Sequence, residues 1–211
     1  KLFSLVATPE CVGDGSPSGR RKPLAAGMPG DEEEETDSEP EDDERIMKIM
    51  MYADKHTPQE TADFVRELGG DDALIYGDLF VGKPLHAMAF FMIMGVGNFD
   101  EDQPLSPQLA KKEKWSVFKA FFKDESDAQS ALLVVFELFC AKDHPKGLED
   151  FGPVLKVLWE RDIVAEEKIY AWYENELSLR EFWPKHFSQS SAEAIRESSR
   201  EFIQWLQAGE D

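Results

Sequence analysis

The sequence predicts an all-α fold: stacked antiparallel helix pairs in a solenoid-like layering, preceded by a disordered acidic linker. Three observations carry that reading. No stretch of any length alternates apolar and polar residues with a period of two, as a half-buried strand requires. Apolar residues recur instead at spacings of three and four, the signature of one buried helix face. Short Gly, Pro and Asp breaks separate these segments, giving a rhythm of helical hairpins without an exact sequence repeat.

The linker is predicted over residues 1–44. It is rich in Gly, Pro and Ser and then becomes a self-repelling run over 31–44 with 11 acids and no base. Thr36 and Ser38 each precede an acid by three residues, Glu39 and Glu41, the pattern an acid-directed kinase uses. The helical domain is expected over 45–211. Ile46, Ile49 and Met50 mark a first amphipathic helix over 45–55. Thr57-Pro58-Gln59-Glu60 reads as a capping box with proline at the first helical position, and Gly69-Gly70 as the stop after Leu68.

Asp71 or Asp72 caps the next predicted helix, through Leu74, Ile75 and Leu79-Phe80. After Gly82-Lys83-Pro84, residues 85–94 are apolar nearly all round and belong in the centre. A loop is expected over 95–107, then a helix over 109–122 with Trp115, Phe118 and Phe121-Phe122 on its stripe. Ser126 or Asp127 is the expected cap of the following helix, which turns Leu132-Leu133, Phe136 and Phe139-Cys140 inward, and residues 143–147 break it. A helix over 148–158 leads to a short acidic turn and then to a second stripe of Ile169, Trp172 and Tyr173. Residues 176–188 read as irregular, with Phe182, Trp183 and Phe187 packed down. The final helix runs over 191–207, with Phe202 and Leu206 inward and Trp205 one step off that line and partly exposed.

Composition narrows the function classes. The chain has 211 residues, with 43 acids against 23 bases and a formal charge of −20. The helical part is acidic even without the 31–44 run, which disfavours nonspecific nucleic-acid binding and favours basic protein partners. Cys11 and Cys140 form neither a disulfide framework nor a zinc motif, and a reducing, cytoplasmic setting fits them. The longest apolar run, 87–96, is too short to span a bilayer. Histidines 56, 86, 144 and 186 share no metal-ligand or nucleophile–base spacing, so no catalytic residue, metal or cofactor is expected.

What remains is a candidate docking surface for a basic partner. Around the aromatic stripes of 154–175 and 202–206 stand Glu160, Asp162, Glu166, Glu167, Glu174, Glu201, Glu210 and Asp211. Acids in a first helical turn also serve the helix dipole, so position alone leaves a purely structural role open. Trp205 is the aromatic best placed to meet a lysine stem or its ammonium. Lys111, Lys112, Lys114, Lys119 and Lys123 form a basic stripe, which reads as a solvated helix face, with a small nucleic-acid or acidic-partner contact as the alternative.

The string PVLKVLWERDIVAEEKIYAWYE resembles the first aromatic-and-acidic box of the W2-type HEAT domain, and REFIQWLQAGED resembles its second. That domain closes several translation initiation proteins, among them initiation factor 5 and the epsilon subunit of the exchange factor for initiation factor 2. AEAIRESSREFIQWL is similar to the final helix of factor 5, and Trp159 stands where the family usually carries Tyr. The resemblance implies a cytoplasmic binding module without chemistry of its own. Its boxes would receive lysine-rich segments of the beta subunit of initiation factor 2, with initiation factors 1 and 3 as further partners. It also implies a basic area opposite the acidic one, and it places any GTPase-activating domain upstream of this chain. Two alternatives stay open: nucleotide exchange on initiation factor 2, as in the epsilon subunit, and a HEAT-type scaffold outside translation.

Overall fold

The structure, a computed structural model, describes residues 39–68, 80, 82–175 and 188–209. These residues form nine α-helices and no strand. The expected disorder of residues 1–38, the modification sites Thr36 and Ser38, the helix expected over 71–80 and the irregular 176–187 segment lie outside the described residues, Phe80 apart.

The first helix, α1 (Glu39–Ala53), begins at Glu39 and not at Arg45 as expected. The sequence EPEDD explains the earlier start, since proline in the first turn and acids at the positive end of the dipole both favour it. Helix α2 (Pro58–Leu68) opens on the capping box: Glu60 N–H donates to Thr57 Oγ1 at 3.3 Å, and Thr57 N–H donates to Glu60 Oε2 at 2.8 Å. Helix α3 (Pro84–Phe91) does not stop at Met94 but runs on as a π-helical segment, Met92–Gly97, ended by Asn98 at φ 37°. Gly95 is needed there. A Cβ on it would lie 2.7 Å from Ile49 Cγ2, so only glycine lets α1 lie against this segment.

The loop expected over 95–107 shrinks to residues 98–104, and the single helix expected over 109–122 is two. Helix α4 (Leu105–Leu109) precedes α5 (Lys112–Phe122), with extended backbone at Lys111 between them. Gln108, buried, gathers the loop: its amide donates to the Asp100 and Pro104 carbonyls at 3.0 Å each and accepts from Asp100 N–H at 2.8 Å. Helix α6 (Ser126–Lys142) is buried from Ala131 to Cys140 and is the central strut. Neither Ser126 nor Asp127 caps it; the residue before the helix is Glu125, and no side chain bonds the free N–H groups.

A 3₁₀ turn (Pro145–Gly147) leads to α7 (Phe151–Glu160), α8 (Glu166–Glu174) and, after the undescribed segment, α9 (Gln189–Ala208). Ser188 caps α9 by accepting from Ser191 N–H at 3.1 Å. Packing follows a register of three: α2 lies on α5, α3 on α6 and α4 on α7, the layering of a HEAT-like stack. At the C-terminal end α8 packs on α6 and α9 on α7. Among the described residues no helix is long and apolar enough to cross a membrane.

Candidate functional site

Helices α7 and α9 meet unusually closely, and that contact builds the site. Gly152 makes it possible: a Cβ there would fall 2.3 Å from the Ser198 carbonyl oxygen. With the backbones this near, the side chains farther along both helices form one aromatic cluster. Trp205 stacks on Phe202, with centroids 5.9 Å apart and planes at 19°, and stands edge-on to Trp159 at 5.4 Å. Phe202 is buried, whereas Trp205 is 52% exposed, in line with its expected place one step off the buried stripe. Its i+3 spacing from Phe202 puts it on the rim of the buried stripe, at the mouth of a cleft of about 580 Å³ between α4, α7 and α9.

Carboxylates ring this cluster. Glu160, at the end of α7, and Glu201, on α9, both line the cleft. Glu166, at the start of α8, accepts a hydrogen bond from Trp159 Nε1 at 3.2 Å, joining the acid to the aromatic cluster. Lys156, one turn before Glu160, holds its ammonium 5.7 Å from the Trp205 ring centre and 3.8 Å from Glu160 Oε1. The surface therefore already holds one lysine between an indole face and a carboxylate.

The remaining acids fall elsewhere. Asp162 was expected beside Glu160, but the chain reverses between them. Asp162 sits at φ 60°, its N–H donating to the Trp159 carbonyl at 2.9 Å, and Ile163 N–H donates to the Leu158 carbonyl at 2.9 Å. This is a Schellman ending, sealed by buried Leu158 and Ile163. It turns Asp162 toward the C-terminal end of α5, where Lys119 and the following Lys123 each lie 3.2 Å from its Oδ2 and hold its carboxyl below the usual range. Two lysines of the basic stripe are thus paired within the fold, and Arg161 lies over Trp115 at 5.2 Å. Glu167 is exposed on the first turn of α8 and Glu174 at its far end, about 12 Å along the axis from Glu166. Glu210 and Asp211 lie outside the described residues.

Sequence reasoning missed the group that orients α8 and α9 behind the site. Glu137, on α6, is 1% exposed and accepts from Trp172 Nε1 at 2.9 Å and from Arg196 Nη1 at 3.0 Å. Arg196 also donates to the carbonyls of Trp172, at 3.3 Å, and Asn175, at 3.1 Å, and its guanidinium lies 3.8 Å from the Trp172 ring centre. Burial pushes the Glu137 carboxyl up from its ordinary pKa, opposed by the Arg196 charge and the two donors. The signal was a lone acid inside the apolar run ALLVVFELFC, which asks for a buried partner. Trp172, stacked on Phe151 at 5.1 Å, is the core residue the spacing implies.

Comparison with known proteins agrees with this architecture. Residues 128–211 match the family model described as W2: eIF4-gamma/eIF5/eIF2-epsilon. The chain is 31% identical over 86 residues to eukaryotic translation initiation factor 5 of Phaseolus vulgaris and 28% identical over 86 residues to that of Zea mays. It is 26% identical over 104 residues to a probable eukaryotic translation initiation factor 5-2 of Arabidopsis thaliana. These matches take in 41%, 41% and 49% of this chain but only 17%, 17% and 22% of the relatives' lengths. In fold it is similar to a solved structure described as the C-terminal domain of translation initiation factor 5 at low pH. That likeness has a TM-score of 0.53 at 18% identity, over 81% of this chain and 91% of the other. Two aromatic-acidic helices packed against each other at the C-terminal end of a HEAT-like stack thus fall within residues 128–211, the span that matches the W2 family model, and the fold is that of the solved factor 5 C-terminal domain.

Proposed function

We propose that this chain is a docking module of a factor-5-like translation initiation protein and acts by binding rather than by chemistry. The ligand is a lysine-rich segment, of the kind the beta subunit of initiation factor 2 would present, with initiation factors 1 and 3 as further partners in the same assembly. The acceptor is the Trp159–Trp205–Phe202 cluster with Glu160, Glu166 and Glu201 around it. The observation that supports the reading is Lys156, whose ammonium lies near both the exposed indole and the neighbouring carboxylate. Glu167 and Glu174 add long-range attraction rather than contacts, and Asp162 takes no part because its lysines are internal.

Binding of a fluorescent lysine-rich peptide to the chain, followed by anisotropy across a salt series, tests this. Exposed ion pairs predict that affinity falls about tenfold or more between 0.1 and 0.4 M salt. Glu160→Lys combined with Glu201→Lys is expected to weaken binding by a further factor of about ten while leaving the thermal midpoint nearly unchanged, since both residues are exposed. Equal binding by the parent and the double variant would reject the site.

A further inference from the structure

Glu160 and Glu201 account for attraction to lysines, but most of the residues that line the cleft with them are apolar. Pro107 of α4, Ala110 just after it, Pro153 and Val157 of α7, and Phe202 and Trp205 of α9 supply its apolar lining, and Lys156, Glu160 and Glu201 line it as well. A cleft of about 580 Å³ has ample room for one side chain and part of the segment that carries it. A run of lysines alone would cover these walls only with its methylene stems, because its ammonium groups pair with Glu160 and Glu201.

The geometry points to a partner segment of mixed chemistry: basic residues flanking one apolar side chain, leucine-sized or aromatic, that enters the α4–α7–α9 cleft while its neighbours pair with Glu160 and Glu201. This rests on the docking reading above and specifies its ligand. Charge complementarity decides against a purely apolar occupant, since a segment without cations would bring nothing to the carboxylates at the edge. The apolar walls decide against a purely basic one. The two contributions differ in kind. Rim contacts weaken with salt, whereas burial of the anchor does not. The anchor also fixes the register of the segment, which a row of equivalent lysines cannot do.

Two nonapeptides, each with four lysines on either side of a central residue, separate the contributions. One carries leucine at the centre and the other serine, and both are titrated against the full chain at 0.1 and 0.5 M salt. The leucine peptide is expected to bind about tenfold tighter, roughly what burying one such side chain leaves after ordering costs, and to keep that ratio at high salt. Ala110→Phe, which fills the cleft, is expected to erase the ratio and leave the serine peptide unaffected. Pro107→Phe, at an exposed position on the same wall, repeats the test should the first variant not fold. If both peptides bind with equal affinity, or the ratio survives both fillings, the anchor is refuted while the docking module stands. If neither peptide binds, the docking reading falls and takes the anchor with it.

Discussion

Arg196→Met is the most informative single perturbation of this fold. It removes the only cation among the described residues within bonding distance of a carboxylate that is 1% exposed, together with two hydrogen bonds to carbonyls at the end of α8. Glu137 would keep one donor, Trp172 Nε1. Leaving a buried charge with its partner removed costs about 3–5 kcal/mol in comparable cases. Two features place this site near the lower bound, at about 3 kcal/mol. The Arg196 side chain is 11% exposed, so water can reach part of the gap, and the Glu137 pKa is already raised, so the variant can relieve the charge by binding a proton. The second feature sets the pH dependence. Without the guanidinium, the folded-state pKa of Glu137 rises further above its unfolded value. The deficit of the variant is then largest at alkaline pH and narrows as pH falls through that folded pKa. Urea unfolding at pH 8 and pH 5 measures both effects, with an unchanged slope as the check that the unfolded state is unaltered. Adding Glu137→Met completes a double-mutant cycle. It removes the charge but orphans the Trp172 N–H, a cost of about 1–3 kcal/mol, so the double variant is expected to be no less stable than Arg196→Met. A loss below about 1 kcal/mol for Arg196→Met, or a deficit that does not change with pH, would show that the pair does not hold α6, α8 and α9 together.

Three other outcomes follow from the same geometry. Gly152→Ala gains helix propensity but drives a methyl into the Ser198 carbonyl, so thermal unfolding is expected to show a net loss of about 1–3 kcal/mol, with weakened peptide binding as α7 and α9 part. His86 is held at a pKa of about 4, against an ordinary 6.5, by burial and by the Lys83 charge. Its depressed value means that the unfolded chain binds the proton first, so its contribution is complete above pH 6.5 and lost as pH falls toward 4. His86→Gln is expected to remove about 1–2 kcal/mol of that acid sensitivity, allowing for the partial exposure of the ring, in unfolding curves taken across the window. Asp162→Asn breaks only exposed ion pairs and is expected to change lysine-peptide affinity less than twofold, in contrast to reversal of Glu160 two residues earlier.

Much of the fold was legible because local chemistry and tertiary packing agree there. The Thr57–Glu60 box, the Gly82-Lys83-Pro84 break and the stripe of Ile169 and Trp172 each specify their structure within a few residues. The misreadings occur where distant contacts decide. The π segment after Phe91 and the split between α4 and α5 leave no periodic trace, because Met92–Gly97 is apolar on every side and the break at Ala110-Lys111 has neither Gly nor Pro. At the candidate site, the aromatic cluster and Glu160, Glu166 and Glu201 follow from spacing, since they flank the buried stripes of α7, α8 and α9. Asp162 does not. Its left-handed conformation has no glycine to announce it, and that one residue sends the carboxylate to the lysines of α5. The Glu137–Arg196 pair joins residues 59 positions apart, which no window along the chain can connect.

Lys156 has a last consequence. A ligand offering a single positive group must evict this resident ammonium to reach the indole, exchanging like for like with almost no net gain. Segments that bring several cations at once, or something greasy besides, come out ahead. On the docking reading, the resident side chain sets a threshold that screens out the lone lysines of ordinary protein surfaces and favours dense or composite sequences.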